Sequence, residues 1–166
     1  MRDATCLAVL ILAAALTGCG PGKSDTGGAA STAASSTDAS SLDTPANRKL
    51  VEALGPAYAK ADLANGQVHF ALCRSCHTIT KGGPNMTGPN LYGLFGRPSA
   101  SVADYSYSEG MKGAHVVWGA DTLNTWIKDP RAMVAGTKMS YPGMPDDKDR
   151  ADLIAYLKVA SSGGAN

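Results

Sequence analysis

Cys73, Cys76 and His77, inside the stretch "ALCRSCHTITKGGPN" (71–85), restrict this chain more than any other feature in it. Two thiols three positions apart, with an imidazole directly after the second, admit four readings: a disulfide, a zinc site, a redox-active thiol pair, or covalent attachment of haem. A thioredoxin-like pair needs a β-α-β setting, and no strand alternation is visible in the chain. A structural zinc site needs four ligands, and besides His77 the histidines are His69 and His115. A disulfide here closes a very small loop. C-x-x-C-H is the spacing for c-type haem attachment. The thiols sit one helical turn apart, so both can add to vinyl groups on one porphyrin edge, and the next imidazole points at the iron. Aromatic content is only 6%, with two Trp and two Phe. A core this lean is marginal alone, and a large apolar cofactor in the interior changes that.

The other two cysteines, Cys6 and Cys19, lie in the N-terminal stretch "MRDATCLAVLILAAALTGC". Arg2 precedes an apolar run from Leu7 to Leu16. The run is too short for a membrane helix, which needs about 20 residues, and suits the apolar core of a signal peptide. It ends in Leu16-Thr17-Gly18-Cys19, which resembles a bacterial lipobox; an ordinary cleavable signal is the alternative. The expectation is a signal peptide over 1–18, with Cys19 acylated as a lipid anchor. The haem domain then lies on the periplasmic side of a membrane, in keeping with haem attachment outside the bacterial cytoplasm. Residues 19–46 are rich in Ser, Ala, Thr and Gly and read as a disordered tether spanning ~30 Å.

Past the tether, 47–55 reads as a short linker helix ended by Gly55-Pro56. A packed domain is expected over 56–160 and a disordered tail over 161–166. Asp62 is a candidate N-cap for a helix whose apolar positions are Leu63, Val68 and Phe70 to Leu72. The following run, "TKGGPNMTGPNLYGLFGRPSAS", suits loops wrapped around something rigid. Helices follow at 121–128, stopped before Pro130, and from Asp146/Asp147 to about Ala160, where Leu153, Ile154, Leu157 and Ala160 form a stripe. The fold class is all-α: helices and loops around one covalent haem. The net charge of +1 gives no field for nucleic acid or for acidic partners in general. Docking on an acidic partner would need a local patch, such as Lys81, Lys138, Lys112 and Arg74 around the haem edge.

"CRSCH" is followed by "TGPNL" (87–91), "GTKM" (136–139) and "LIAYLK" (153–158). With these, 62–158 resembles class I cytochrome c of the mitochondrial-like bacterial type, in a membrane-anchored lipoprotein form. The resemblance implies a small cytochrome c fold with one covalent haem c and its iron. Cys73 and Cys76 match the thioether cysteines, His77 the proximal iron ligand and Met139 the sixth ligand. Pro89 matches the proline whose carbonyl orients the proximal imidazole. Arg97, Tyr107 and Trp118 match side chains around the propionates. Met144, in "YPGMP", is the rival to Met139, and "GTKM" decides for Met139. Trp126 stands where the family usually has a tyrosine, Met111 where mitochondrial members carry a polar residue, and the Gly66–Cys73 spacing is one residue shorter.

The implied function is one-electron transfer, with no enzyme activity of the protein's own. It would act as a monomeric carrier between a quinol–cytochrome c oxidoreductase and a terminal oxidase or photosynthetic reaction centre, without nucleic acid. Two alternatives stand beside it: a haem peroxidase or gas-binding protein if Met139 does not ligate, and a fixed haem subunit of a terminal oxidase. For the anchor, Cys19→Ser is expected to move the protein from the membrane fraction to the soluble fraction with its redox activity intact. The mass of the mature N-terminus checks this, and an unacylated first residue other than Cys19 sinks the lipoprotein reading.

Overall fold

The computed structural model of the chain describes residues 42–164, which lie in one compact unit. The expected signal peptide, Cys19 and the tether up to residue 41 lie outside the described residues. Six helices follow in order: α1 (Pro45–Glu52), α2 (Leu63–Cys73), α3 (Glu109–Lys112), α4 (Ala120–Lys128), α5 (Pro130–Met133) and α6 (Asp147–Ser161). A 3₁₀ turn spans Pro56–Tyr58. Among the described residues no strand forms, and one isolated antiparallel bridge joins Pro98 to Val117. No described helix is long and apolar enough to cross a membrane.

Local chemistry sets the helix ends. The Asp62 carboxylate accepts from the amides of Ala64 and Asn65 at 2.9 and 3.0 Å, so α2 starts where an N-cap was expected. Asp146 accepts from Asp149 N at 2.9 Å, and Asp147 and Asp149 place negative charge in the first turn of α6, where the helix dipole favours it. α4 begins at Ala120 and stops before Asp129-Pro130, because the residue before a proline avoids the helical region. Asp129 then caps α5, with Pro130 at its first position.

The core is the crossing of α2 on α6. A Cβ on Gly66 would run into the Asp152 carbonyl of α6, so the two backbones touch there and only glycine fits. One turn on, the Phe70 and Tyr156 rings lie 5.4 Å apart. Leu153, Ile154, Leu157 and Ala160 are buried as the stripe implies. Ala155, Tyr156 and Val159 are buried too, because α1, α2 and α4 all pack on α6. Val68 and Leu72, expected among the apolar positions of α2, are 68% and 63% exposed. Leu63, Gly66 and Phe70 hold the buried face at helical spacing, which turns Val68 and Leu72 to the opposite side.

The packed unit also starts earlier than residue 56. α1 belongs to it: Val51 is fully buried and Leu42, inside the expected tether, is 2% exposed. The Asn47 amide donates to Leu42 O at 2.8 Å and to Gly164 O at 3.0 Å. Arg48 donates to Ala61 O at 2.9 Å and pairs with Asp43. The expected disordered tail likewise begins inside structure, since Ser161 is buried at the end of α6. The low apolar content that marks the tether overlooks how one buried leucine and one asparagine amide can pin residues 42 and 164 to α1.

Asp152 ties the helix pair together. Its buried carboxylate accepts from Asp62 N (2.9 Å), Asn65 Nδ2 (2.8 Å) and Lys148 Nζ (2.6 Å). Burial raises its pKa, but these bonds outweigh that, and the group sits below its usual 3.8. A depressed carboxylate stabilises the fold above its unfolded value, and that stability is lost as pH falls through the folded one. Asp152→Ala should therefore cost about 1–3 kcal/mol at pH 7. The gap to wild type should close below pH ~4, as chemical denaturation at a series of pH values would reveal.

Candidate functional site

α2 delivers the motif. Past Cys73 the chain keeps turning, with the amides of Cys76 and His77 both donating to Cys73 O at 3.0 and 2.9 Å. This brings Cys73, Cys76 and His77 onto the wall of one cavity of about 450 Å³, a volume within the ordinary range for bound organic groups. Both cysteines are free and half-buried, so both thiols are available for attachment, and among the described residues no strand forms to give a thioredoxin-like setting. Burial pushes the Cys73 thiol up to about 11. Among the described residues no group of three or more His, Cys, Asp or Glu is placed to hold a metal, which leaves zinc without its further ligands.

His77 is fixed on two sides. Its Nδ1 lies 2.7 Å from Pro89 O, which holds the proton on Nδ1 and leaves Nε2 without a proton. Burial lowers its pKa, the Pro89 contact opposes that, and the nearby Arg97 charge lowers it further, so the ring is neutral at pH 7. A Cβ on Gly88 would overlap the ring carbons and nitrogens of His77, so the imidazole packs flat on bare backbone. Asn90 knits the loop behind it: its Nδ2 donates to Thr78 Oγ1 (2.6 Å), Thr80 O (3.0 Å) and Gly83 O (3.1 Å), and its Oδ1 accepts from Tyr92 N (2.7 Å). "TGPNL" is thus a cradle in which Gly88 clears space, Pro89 orients and Asn90 ties.

Arg97, Tyr107, Trp118 and Met139 line the same cavity, so all the side chains expected around the cofactor come together. Arg97 donates to Tyr92 O (2.9 Å) and Asn90 O (3.1 Å), and burial lowers its pKa. Met111 and Trp126, the two apolar departures, also line the cavity, with the Trp118 and Trp126 rings 5.5 Å apart. Met139 follows a turn whose neighbour Lys138 donates to Ser106 O at 2.8 Å. Met144 is buried outside the lining: its amide donates to Ile127 O (2.9 Å) and its carbonyl accepts from Arg150 (2.6 Å). His69 pairs with Asp149 at 3.2 Å, and His115 is exposed; neither reaches the cavity.

Sequence reasoning missed Gly88, Asn90 and Arg150. The first two lay inside a motif already singled out, where a glycine before a proline and an asparagine after it were the available signal. Arg150 gave none, because a lone arginine in the first turn of a helix reads as solvated. It is 2% exposed and bonds to the carbonyls of Met144, Pro145 and Asp146 and to Asn124 Oδ1.

An apolar cavity holding two free thiols, an oriented neutral imidazole and a methionine fits a haem attached through thioethers, and defines a small all-helical c-type haem domain. Residues 63–161 match the family model "Cytochrome c". The chain is 50% identical over 99 residues to cytochrome c of Ginkgo biloba, covering 60% of this chain and 88% of that protein. It is 46% identical over 104 residues to cytochrome c of Theileria annulata (62% and 90%), and 45% over 102 residues to that of Chlamydomonas reinhardtii (61% and 91%). The chain belongs to the cytochrome c family, and its cofactor is one covalently attached haem c with iron.

Gly88→Ala should displace the His77 ring, since the added methyl has no room. Over-packing of this kind costs about 1–3 kcal/mol. The expected outcome is a lower melting temperature and less covalently haem-stained protein after denaturing electrophoresis; unchanged values in both would remove the cradle role.

Proposed function

We propose that this protein is a membrane-confined one-electron carrier whose haem iron is held between His77 and Met139. The observation that carries the reading is the shared wall: His77 and Met139 line one cavity, and Met144 does not. When bound, the haem supplies a one-electron Fe(III)/Fe(II) couple. Pro89 O keeps the His77 Nδ1 proton in place, so Nε2 is the nitrogen available to the metal. A thioether is a soft, neutral donor that favours Fe(II) and raises the reduction potential. Trp118, Trp126 and Met111 keep water from the pocket, which raises the potential further. Arg97, hydrogen-bonded to two carbonyls of the cradle loop, is positioned for the propionates beside Tyr107 and Trp118. With His77 and Met139 both holding the iron, the haem would supply electron exchange and no open position for enzyme chemistry.

The anchor reading supplies the setting. Acylated Cys19 and the tether keep the haem domain at the periplasmic face of a membrane. There a quinol–cytochrome c oxidoreductase is the donor, and a terminal oxidase or reaction centre the acceptor. Family membership supports the carrier role; the lipobox-like "LTGC" supports the anchor.

The test compares two methionines. The ferric wild type should have a weak long-wavelength sulfur-to-iron charge-transfer band. Met139→Ala should lose it and show a lower midpoint potential. Met144→Ala should keep the band while losing about 2–5 kcal/mol of stability, the usual cost of truncating a buried methionine. A wild type without the band, or one whose band survives Met139→Ala, overturns the ligand assignment.

A further inference from the structure

α2 has an unusual outer face. None of the chain's fifteen Lys and Arg or fourteen Asp and Glu falls within Leu63–Cys73, and exposed Arg74 is the one such residue between Val68 and Ser75. Val68, Ala71, Leu72 and Ser75 are all exposed and recur at the i, i+3, i+4, i+7 spacing that makes one helical stripe. A surface helix normally places charge there. The stripe runs into the cavity, because Leu72 and Ser75 line it. The other exposed lining residues are Thr87, Lys138, Ser140 and Pro142, so Lys138 is the only charged one. Its ammonium is hydrogen-bonded to Ser106 O and Oγ at 2.8 and 3.2 Å. Exposed Met86 stands beside Thr87.

The cationic ring considered from the sequence is correspondingly thin. Lys112 is paired with Glu109 at 2.7 Å, and neither Lys81 nor Arg74 lines the cavity. Electrons leave a buried haem where its cavity opens. The surface continuous with that opening lies nearest to a group held in the cavity.

We propose that the redox partner docks on the stripe Val68–Leu72–Ser75 through an uncharged, apolar face of its own, and not through an acidic one. The inference rests on the carrier reading above and adds to it the chemistry of the partner. Docking of this kind draws on buried apolar area and lacks the steering that makes association rates depend on salt.

The test uses the purified full-chain holoprotein at two gold electrodes, one with a mixed methyl- and hydroxyl-terminated monolayer, the other carboxylate-terminated. The interfacial electron-transfer rate should be at least roughly tenfold higher at the neutral surface, and should change less than about twofold between ~0.01 and ~0.2 M salt. Val68→Lys, at a position 68% exposed, should lower the neutral-surface rate by roughly tenfold and leave the midpoint potential where it was. A faster, salt-sensitive rate at the carboxylate surface, or a Val68→Lys protein that behaves as wild type, overturns the docking proposal alone. A dimer in sedimentation equilibrium that Val68→Lys dissolves also overturns it, because a second copy then covers the stripe. Failure to give a reversible wave even through a small diffusing mediator overturns the carrier reading and this proposal with it.

Discussion

The backbone contact between Gly66 of α2 and Asp152 of α6 is the point from which the site is built. α2 ends in Cys73, so whatever fixes the helix also fixes both thiols and the imidazole that follow within a single turn. Three features lock the helix in rotation and height: the close approach at Gly66, the Phe70–Tyr156 ring contact one turn later, and the Asp152 carboxylate holding the Asp62 amide and Asn65 at the helix start. A rigid attachment end has a consequence for the cofactor. Cys73 and Cys76 would hold the haem through two bonds on one edge, so the placement of α2 at Gly66 would carry over to the group they hold.

The second half of the site depends on a different device. His77 is set by a loop, and loops need internal ties. Asn90 supplies them with one amide that spans residues 78 to 92. The Met139 segment has no such hub within itself. It is bracketed by Lys138 on Ser106 and, beyond it, by Arg150, whose buried guanidinium collects the carbonyls of 144–146. A buried arginine is tolerated because its donors are met and Asp147 balances its charge. The two walls of the cavity are thus hung on the two ends of the α2–α6 pair.

This division explains what was legible in the sequence. Helices with carboxylate caps, such as Asp62 and Asp146, announce themselves through local chemistry. The thiols and imidazole announce themselves through spacing. Tertiary ties do not: Arg150 looks like any surface arginine until the carbonyls around it are in place. The same holds for Leu42 and Asn47. Composition marks 42–46 as tether, yet the Asn47 amide ties that segment to the residues after α6 through Leu42 O and Gly164 O. Val68 and Leu72 were misplaced for a related reason. Apolar residues within a helix suggest a core face, but the angular position of Gly66 decides which face that is.

The apolar stripe and the near-zero net charge make sense together if the carrier is tethered. A freely diffusing carrier gains from long-range attraction, which can raise association rates by 10–10³. A tethered one meets its partners at an effective concentration that the linker sets, in the mM range for short flexible linkers, with no field required. Charge around the cavity mouth would then add little to encounter, and each buried ion would carry a desolvation cost at the moment of contact. An uncharged contact avoids that cost and forms weakly, which lets the complex part quickly after the electron has moved. On this reading the sparse charge on α2 follows from the anchor: confinement does the work of steering, and the surface near the haem is left free for contact.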